Sequence, residues 1–358
     1  MTRILVTGVS SFWGGRLARA LEADERVETI IGVSPEDPTM ELERTEFVRV
    51  GTQHALLRRI VQAAEIDTVI DSRLVVDSVQ ASPRDAHEIN VIGTMNILAA
   101  CGGYGGQSSP VRKVIFKSSA HYYGCERDDP AFFTEAMQRP HAPRTRLESD
   151  IVEAENAVRG FAERNKDVTV TVLRFANGLG PELRTSHRDL LSLPAIPCIL
   201  GFDPRYQFVH EDDIVGVLEH AAANDMPGTY NVAGDGVLVL SEVASLLGRP
   251  LAPILPPWGT GLATAALRAA GVRIPDEMAQ QLRYGRAIDN RRLKAAGYTL
   301  RYTTREAVSR FAEDLRVRAL RQDGNAPYRY EREVEEFLRY SPSVRRRSEQ
   351  APGGGSAN

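Results

Sequence analysis

Residues 6–15 read VTGVSSFWGG. Before them Ile4-Leu5-Val6 form an apolar run, and after them RLARALEAD (16–24) spaces Leu17, Ala20 and Leu21 at helical intervals. A strand that stops at a glycine and restarts as a helix leaves unpaired N–H groups at the helix start, which suit a pyrophosphate. Gly8 ends the strand and Gly14-Gly15 open the helix. A lone glycine-rich turn is a weak signal, but this one opens a long alternation of strand and helix patterns.

The alternation continues downstream. ETIIGVS (28–34), DTVIDSRLV (67–75), VRKVIFKSS (111–119) and VTVTVLRF (168–175) predict strands. HALLRRIVQAA (54–64), EINVIGTMNILAAC (88–101) and SDIVEAENAVRGFAER (149–164) predict the helices between them, and VRVGTQ (48–53) predicts a further strand. Such βαβ units imply an α/β fold, a doubly wound parallel sheet with ligands outside the carboxyl ends of its strands. From about residue 180 the texture turns loop-like and rich in proline. YQFVHEDDIVGVLEHAA (206–222) and GTYNVAG (228–234) return to the sheet pattern. The expected division is a dinucleotide-binding domain over 1–177 with 208–232 returning to it, and a smaller C-terminal substrate-type domain over 178–207 and 233–340. EAVSRFAEDLRVRALRQD (306–323) and YEREVEEFLRY (330–340) predict amphipathic helices. Residues 341–358, almost without apolar side chains, predict a disordered tail whose Arg345-Arg346-Arg347 run is solvated.

Bulk properties narrow the class. The 358 residues are 42% hydrophobic and 25% charged, with a net charge of −3, which argues against a nucleic-acid binder. Only four of the 44 basic residues are lysine (Lys113, Lys117, Lys166, Lys294). Cys101, Cys125 and Cys198 are scattered, so neither a disulfide framework nor a metal site is expected. No apolar run reaches the length of a membrane span and no signal peptide precedes the first strand, so a cytoplasmic protein is expected.

Several segments, in order, resemble one family. TGVSSFWGG is similar to the TGxxGFxG turn of extended short-chain dehydrogenases/reductases, the NAD-dependent epimerase/dehydratase family. NVIGTMNIL, KSSAHYYG, LRFANGLGP, FVHEDDIV, YNVAG and DNRRLKAAGY resemble later landmarks, spanning about residues 3–310. The resemblance implies a Rossmann sheet with a smaller C-terminal domain and NAD or NADP as cofactor. It places Gly8, Ser10, Ser11, Phe12, Trp13, Gly14, Ser34, Asn90 and Phe175 against the cofactor. It places Asn177 and Arg205 beside a nucleotide-sugar or other small-molecule ligand, with Arg174 nearby. A homodimer and any protein partner stay open.

Two departures stand out. At the cofactor, Ser11 replaces the middle glycine, and the second strand ends in Val33-Ser34 without a ribose-binding carboxylate. Asp37 reads as a turn aspartate before Pro38. Weakened dinucleotide binding is expected, and NAD is not separated from NADP. At the chemistry, the family carries a YxxxK pair on the helix after SSxxxYG. Here Leu147 and Ile151 occupy those positions, no lysine lies between Lys117 and Lys166, and Ser119 remains at the family's serine position. Hydrocarbon side chains exchange no proton. The expectation is a dinucleotide-binding or scaffold protein without the Tyr/Lys chemistry, the alternative being an active epimerase/dehydratase or oxidoreductase with non-standard residues. His121 and His141 read as surface loop residues, and Glu148 and Asp150 as pointing away from the Leu147–Ile151 face.

Overall fold

The computed structural model describes residues 2–51, 53–103, 108–254 and 274–323. Seven strands form one parallel sheet: β1 (Thr2–Thr7), β2 (Val27–Ser34), β3 (Thr45–Arg49), β4 (Thr68–Asp71), β5 (Lys113–Ser119), β6 (Thr169–Phe175) and, after four short strands, β11 (Gly228–Val232). Their spatial order is β11-β6-β5-β4-β1-β2-β3. β2 and β3 are added on one side of β1 and β4 onward on the other, so the connections leaving β1 and β4 part and open a crevice at their carboxyl ends. The intervening strands are β7 (Asn177–Leu179), β8 (Ile196–Ile199), β9 (Arg205–Tyr206) and β10 (Phe208–His210); β12 (Leu238–Val239) and β13 (Leu251–Ile254) follow. They pair as β7–β10, β9–β12 and β8–β13.

Helices cover both faces because strand side chains alternate between them. On one face α1 (Phe12–Glu22) and α7 (Glu211–Ala223) bury Leu17, Leu21, Ile214, Val217 and Leu218 against Ile4, Val6, Ile70 and Ile115. On the other, α2 (His54–Ala63), α4 (Thr94–Cys101) and α5 (Arg146–Arg164) bury Leu57, Val61, Ile97, Ile151, Val158 and Phe161 against Leu5, Val69, Val114 and Phe116. Four further helices are α3 (Pro83–His87), α6 (Ser186–Leu191), α8 (Leu240–Leu247) and α9 (Asp276–Tyr284). α10 (Arg291–Ala295) and α11 (Thr304–Asp323) are the last described α-helices, and a 3-10 turn over Ala120–Tyr123 follows β5.

The doubly wound sheet matches the sequence reading, with three local differences. The third strand runs Thr45–Arg49, ahead of the 48–53 expected, because its apolar residue Phe47 pairs beside Gly32 of β2. The fourth strand stops at Asp71, since the chain leaves the sheet at the crevice. The helix expected over 88–101 begins as a π-helical segment, Glu88–Gly93, before α4. The three cysteines are buried and unbridged. Among the described residues, no helix is long and apolar enough to cross a membrane. By contact the chain divides into residues 1–311 and 312–358, and the site lies wholly in the first. The helix expected at 330–340 and the tail expected at 341–358 lie outside the described residues.

Candidate cofactor cavity

Gly8 has φ +77°, a left-handed conformation that favours glycine, and its N–H donates to the Val33 carbonyl at 2.7 Å. A Cβ there would meet Arg73 Cγ at 2.5 Å. Ser11 caps α1 with φ −77°, which any residue adopts. Its Oγ donates to the Gly8 carbonyl at 2.7 Å and accepts from the Gly14 N–H at 3.1 Å. The serine therefore fits the turn without strain, but it takes one N–H that the helix start would otherwise offer an anion. A Cβ on Gly14 would lie 2.2 Å from the Gly8 carbonyl oxygen, so Gly14 packs helix on strand.

The crevice holds a cavity of about 940 Å³. Of the residues expected at the cofactor, Gly8, Ser10, Ser11, Phe12 and Trp13 line it from the turn, and Ser34 and Phe175 from strand ends. Gly14 and Asn90 do not line it. Asn90, fully buried in the π-helical segment, accepts from Val75 N at 2.7 Å and donates to Val75 O at 2.9 Å. It thereby holds a loop that does line the cavity. At the end of β2 the Ser10 and Ser34 hydroxyls bond at 2.5 Å. Asp37 pairs with Arg49 at 2.6 Å, both exposed, as a turn aspartate would. Glu36, unnoticed in the sequence, lines the cavity instead.

The positions implied for chemistry are arranged differently. Ser119 lines the cavity. Leu147 and Ile151, 5% and 0% exposed, belong to the core behind the sheet and do not line it. His121 corrects the sequence reading: it is buried, its Nδ1 shares a 2.8 Å hydrogen bond with Ser119 Oγ, and its Nε2 has no partner. Burial, then the nearby charges of Arg286, His187 and Arg139, hold it well below the usual histidine range, so the ring is neutral. His141 is exposed and meets Asp128 at 2.9 Å. Glu148 and Asp150 are both buried, paired with Arg139 (2.6 Å) and His87 (2.7 Å).

Arg174 also corrects its expectation. Its guanidinium is buried, bonds Glu155 through Nε and a terminal nitrogen (3.0 and 2.6 Å), and lies 3.5 Å from the Tyr122 ring centre. Asn177 and Arg205 do not line the cavity, and Arg205 donates to the Ala131 carbonyl. One wall is braced by Arg16 of α1, which meets Glu211 at 3.2 Å and Asp212 at 3.0 Å. Glu211 in turn accepts from the Leu183 N–H at 2.8 Å.

Two charged groups on the sheet were missed. Asp71 is buried and bonds Arg73 Nε at 3.0 Å and the Thr7 hydroxyl at 2.8 Å. Burial works to raise its carboxyl, but Arg73 and Thr7 hold it below the usual range. Lys117 is 3% exposed and lines the cavity, with Nζ 5.4 Å from the Trp13 ring centre and 5.9 Å from that of Phe175. The available signal was a lysine directly after the apolar run Val114-Ile115-Phe116 of a strand that is buried in the sheet.

Residues 4–233 match the family model described as the NAD dependent epimerase/dehydratase family. An uncharacterized protein of Mycobacterium tuberculosis strain H37Rv is 34% identical over 315 residues, covering 85% of this chain and 81% of its own. Among solved structures, UDP-glucose 4-epimerase of Thermotoga maritima with UDP-glucose superposes with a TM-score of 0.65 at 18% identity, covering 89% of this chain and all of its own. DesIV, a dTDP-glucose 4,6-dehydratase of Streptomyces venezuelae with NAD and TYD bound, gives 0.65 at 20% identity, covering 88% and 97%. MoeE5 in complex with UDP-glucose and NAD gives 0.65 at 21% identity, covering 89% and 99%.

Proposed function

The chain belongs to the NAD dependent epimerase/dehydratase family, and from that premise we propose that it binds an NAD-type dinucleotide without the family's Tyr/Lys chemistry. The observation that carries this is the pairing of a lined cavity with a sealed helix. The turn at Gly8 and the start of α1 face about 940 Å³ of space, whereas Leu147 and Ile151 are packed in the core. A bound dinucleotide would supply hydride transfer. The chain's own part is to hold the pyrophosphate on the α1 N-terminus and the rings between strand ends. The likeness to MoeE5, DesIV and the epimerase makes UDP- and dTDP-sugars the first ligands to try.

Calorimetry with NAD, NADH and NADP tests the binding, and cofactor absorbance with a UDP- and dTDP-sugar panel tests the chemistry. Micromolar dinucleotide binding without turnover is the expected result. No dinucleotide binding overturns the reading. A second reading, an enzyme with non-standard residues, is favoured by one observation, the buried lysine in the cavity; turnover in the sugar panel would support it.

A further inference from the structure

We propose that Lys117 is the acid–base group of this cavity, holding and returning a proton at Nζ against a hydroxyl or carbonyl of the bound ligand. The inference deepens the second reading above and shares its cavity. Elimination over the charged side chains lining the cavity points to this residue. Arg73 and Arg184 carry guanidinium groups, which are hydrogen-bond donors with no acceptor to take a proton. Glu36 and Glu182 are exposed. Among the described residues, no histidine, cysteine or tyrosine lines the cavity. Lys117 is buried, and among the described residues no hydrogen bond or ion pair is recorded for its Nζ; its contacts are the Trp13 and Phe175 rings. It stands two residues before Ser119 on β5, and alternate strand residues share a face. Ser118 between them turns the other way, to Glu155 of α5.

The charges packed round it leave the amine close to balance. β4 brings Asp71, already paired with Arg73. β6 brings Arg174, neutralised by Glu155 on the opposite face. α1 brings Arg16, tied to Glu211 and Asp212 of α7. His121 beyond Ser119 is neutral. Burial pushes the Lys117 ammonium down to about 8, with Asp71 opposing. The proton bookkeeping is simple. A neutral amine would take the proton of a ligand hydroxyl and become ammonium while the hydride on the same carbon passed to a bound oxidised dinucleotide, leaving a carbonyl; in reverse the ammonium would return the proton to the oxygen as the hydride returned from the reduced dinucleotide to the carbon. The neutral His121 is a poor substitute, because a second proton on that ring would face Arg286 and Arg139.

Carbon-13 labelling at lysine Cε tests this directly, because the whole chain carries four lysines. One resonance, lost in Lys117→Met and so assigned among the four, is expected to titrate near pH 8, well below the ordinary lysine value of about 10.4. Calorimetry with NADH in buffers of different ionisation enthalpy supplies the second readout. Binding an anionic dinucleotide at pH 8 is expected to take up a fraction of a proton, and that uptake is expected to vanish in Lys117→Met. A Lys117 resonance that titrates at about 10.4 overturns the proposal, and so does an unchanged proton uptake in the variant. Failure of NADH to bind overturns the dinucleotide reading instead. Acetic anhydride modification then decides the lysine, which must react at pH 8 ahead of Lys113, Lys166 and Lys294; no reaction in the folded protein overturns it.

Discussion

The hydroxyls of Ser10 and Ser34 are bonded to each other at 2.5 Å across the ends of the first two sheet elements. A ribose reaching that corner finds two neutral groups already engaged with one another. Ser34→Asp places a carboxylate there, which Ser10 can donate to and a ribose diol can donate to. Hydrogen bonds to charged groups contribute about 1.5–3 kcal/mol, so NAD is expected to bind about tenfold tighter. NADP, with its 2′-phosphate facing a new negative charge, is expected to gain nothing. Calorimetry with both cofactors measures the split, and equal gains would remove Ser34 from the ribose corner.

Ser11→Gly is the complementary change at the phosphate end. Serine to glycine at a helix N-cap costs only a few tenths of a kcal/mol. It releases the Gly14 N–H from Ser11 Oγ. Dinucleotide affinity is expected to rise about tenfold with almost no change in thermal midpoint. A large loss of stability without tighter binding would show the serine to be a structural requirement.

Asn90 acts at one remove. Asn90→Leu keeps the volume but strands both the N–H and the carbonyl of Val75. Each buried unsatisfied group costs on the order of 1–3 kcal/mol. Denaturant titration is expected to show a loss of about 2–4 kcal/mol, accompanied by weaker NADH binding because Val75 lines the cavity. Lost stability with unchanged binding would mean that the loop holds its shape without the clamp.

Glu155→Gln tests the buried ion pair. It leaves the Arg174 guanidinium against Tyr122 with no compensating charge. Removing one partner of a buried pair costs about 3–5 kcal/mol. The urea midpoint is expected to fall accordingly, and a fall under 1 kcal/mol would mean that water reaches the pair.

Lys117 makes stability depend on alkaline pH. Its folded value of about 8 lies below the unfolded 10.5. Below pH 8 both states carry the proton, and the folded state bears the full cost of burying it. Between pH 8 and 10.5 the unfolded chain holds more protons, so stability rises with pH through that window and levels off above it. The whole rise is about 3 kcal/mol. Lys117→Met is expected to abolish it and to be more stable than wild type at pH 7. Parallel pH–stability curves for the two proteins would contradict the burial of a charged amine.

The sheet, its order of helices and the phosphate turn were legible because each rests on local periodicity and on glycine. The placement of Leu147 and Ile151 was not: the segments on either side fix the helix register and point that face toward the nicotinamide side, but α5 packs both residues into the core behind the sheet, away from the cavity. Lys117 was not, because its surroundings come from Trp13 on α1 and Phe175 on β6, residues that pattern reading cannot bring together. His121 was read as exposed for the same reason. The side chains that shift it, Arg139, His187 and Arg286, arrive from three later segments. The π-helical turn at Asn90 follows the same periodicity as an α-helix over so few residues, so hydrophobic spacing alone does not reveal it.

Gly14 has no room for even one extra carbon above the Gly8 carbonyl. Drift at this position would therefore unseat the first βα unit and, with it, the whole protein, whether or not a ligand matters to the cell. Ser11 and Ser34 carry no such veto, because the backbone accepts a side chain at both. The departures at the cofactor end, Ser11 and Ser34, fall where a side chain is tolerated, and none falls at Gly8 or Gly14, which the turn itself requires. A side chain at position 11 or 34 changes what the turn offers a ligand while leaving untouched the outline that the two glycines fix.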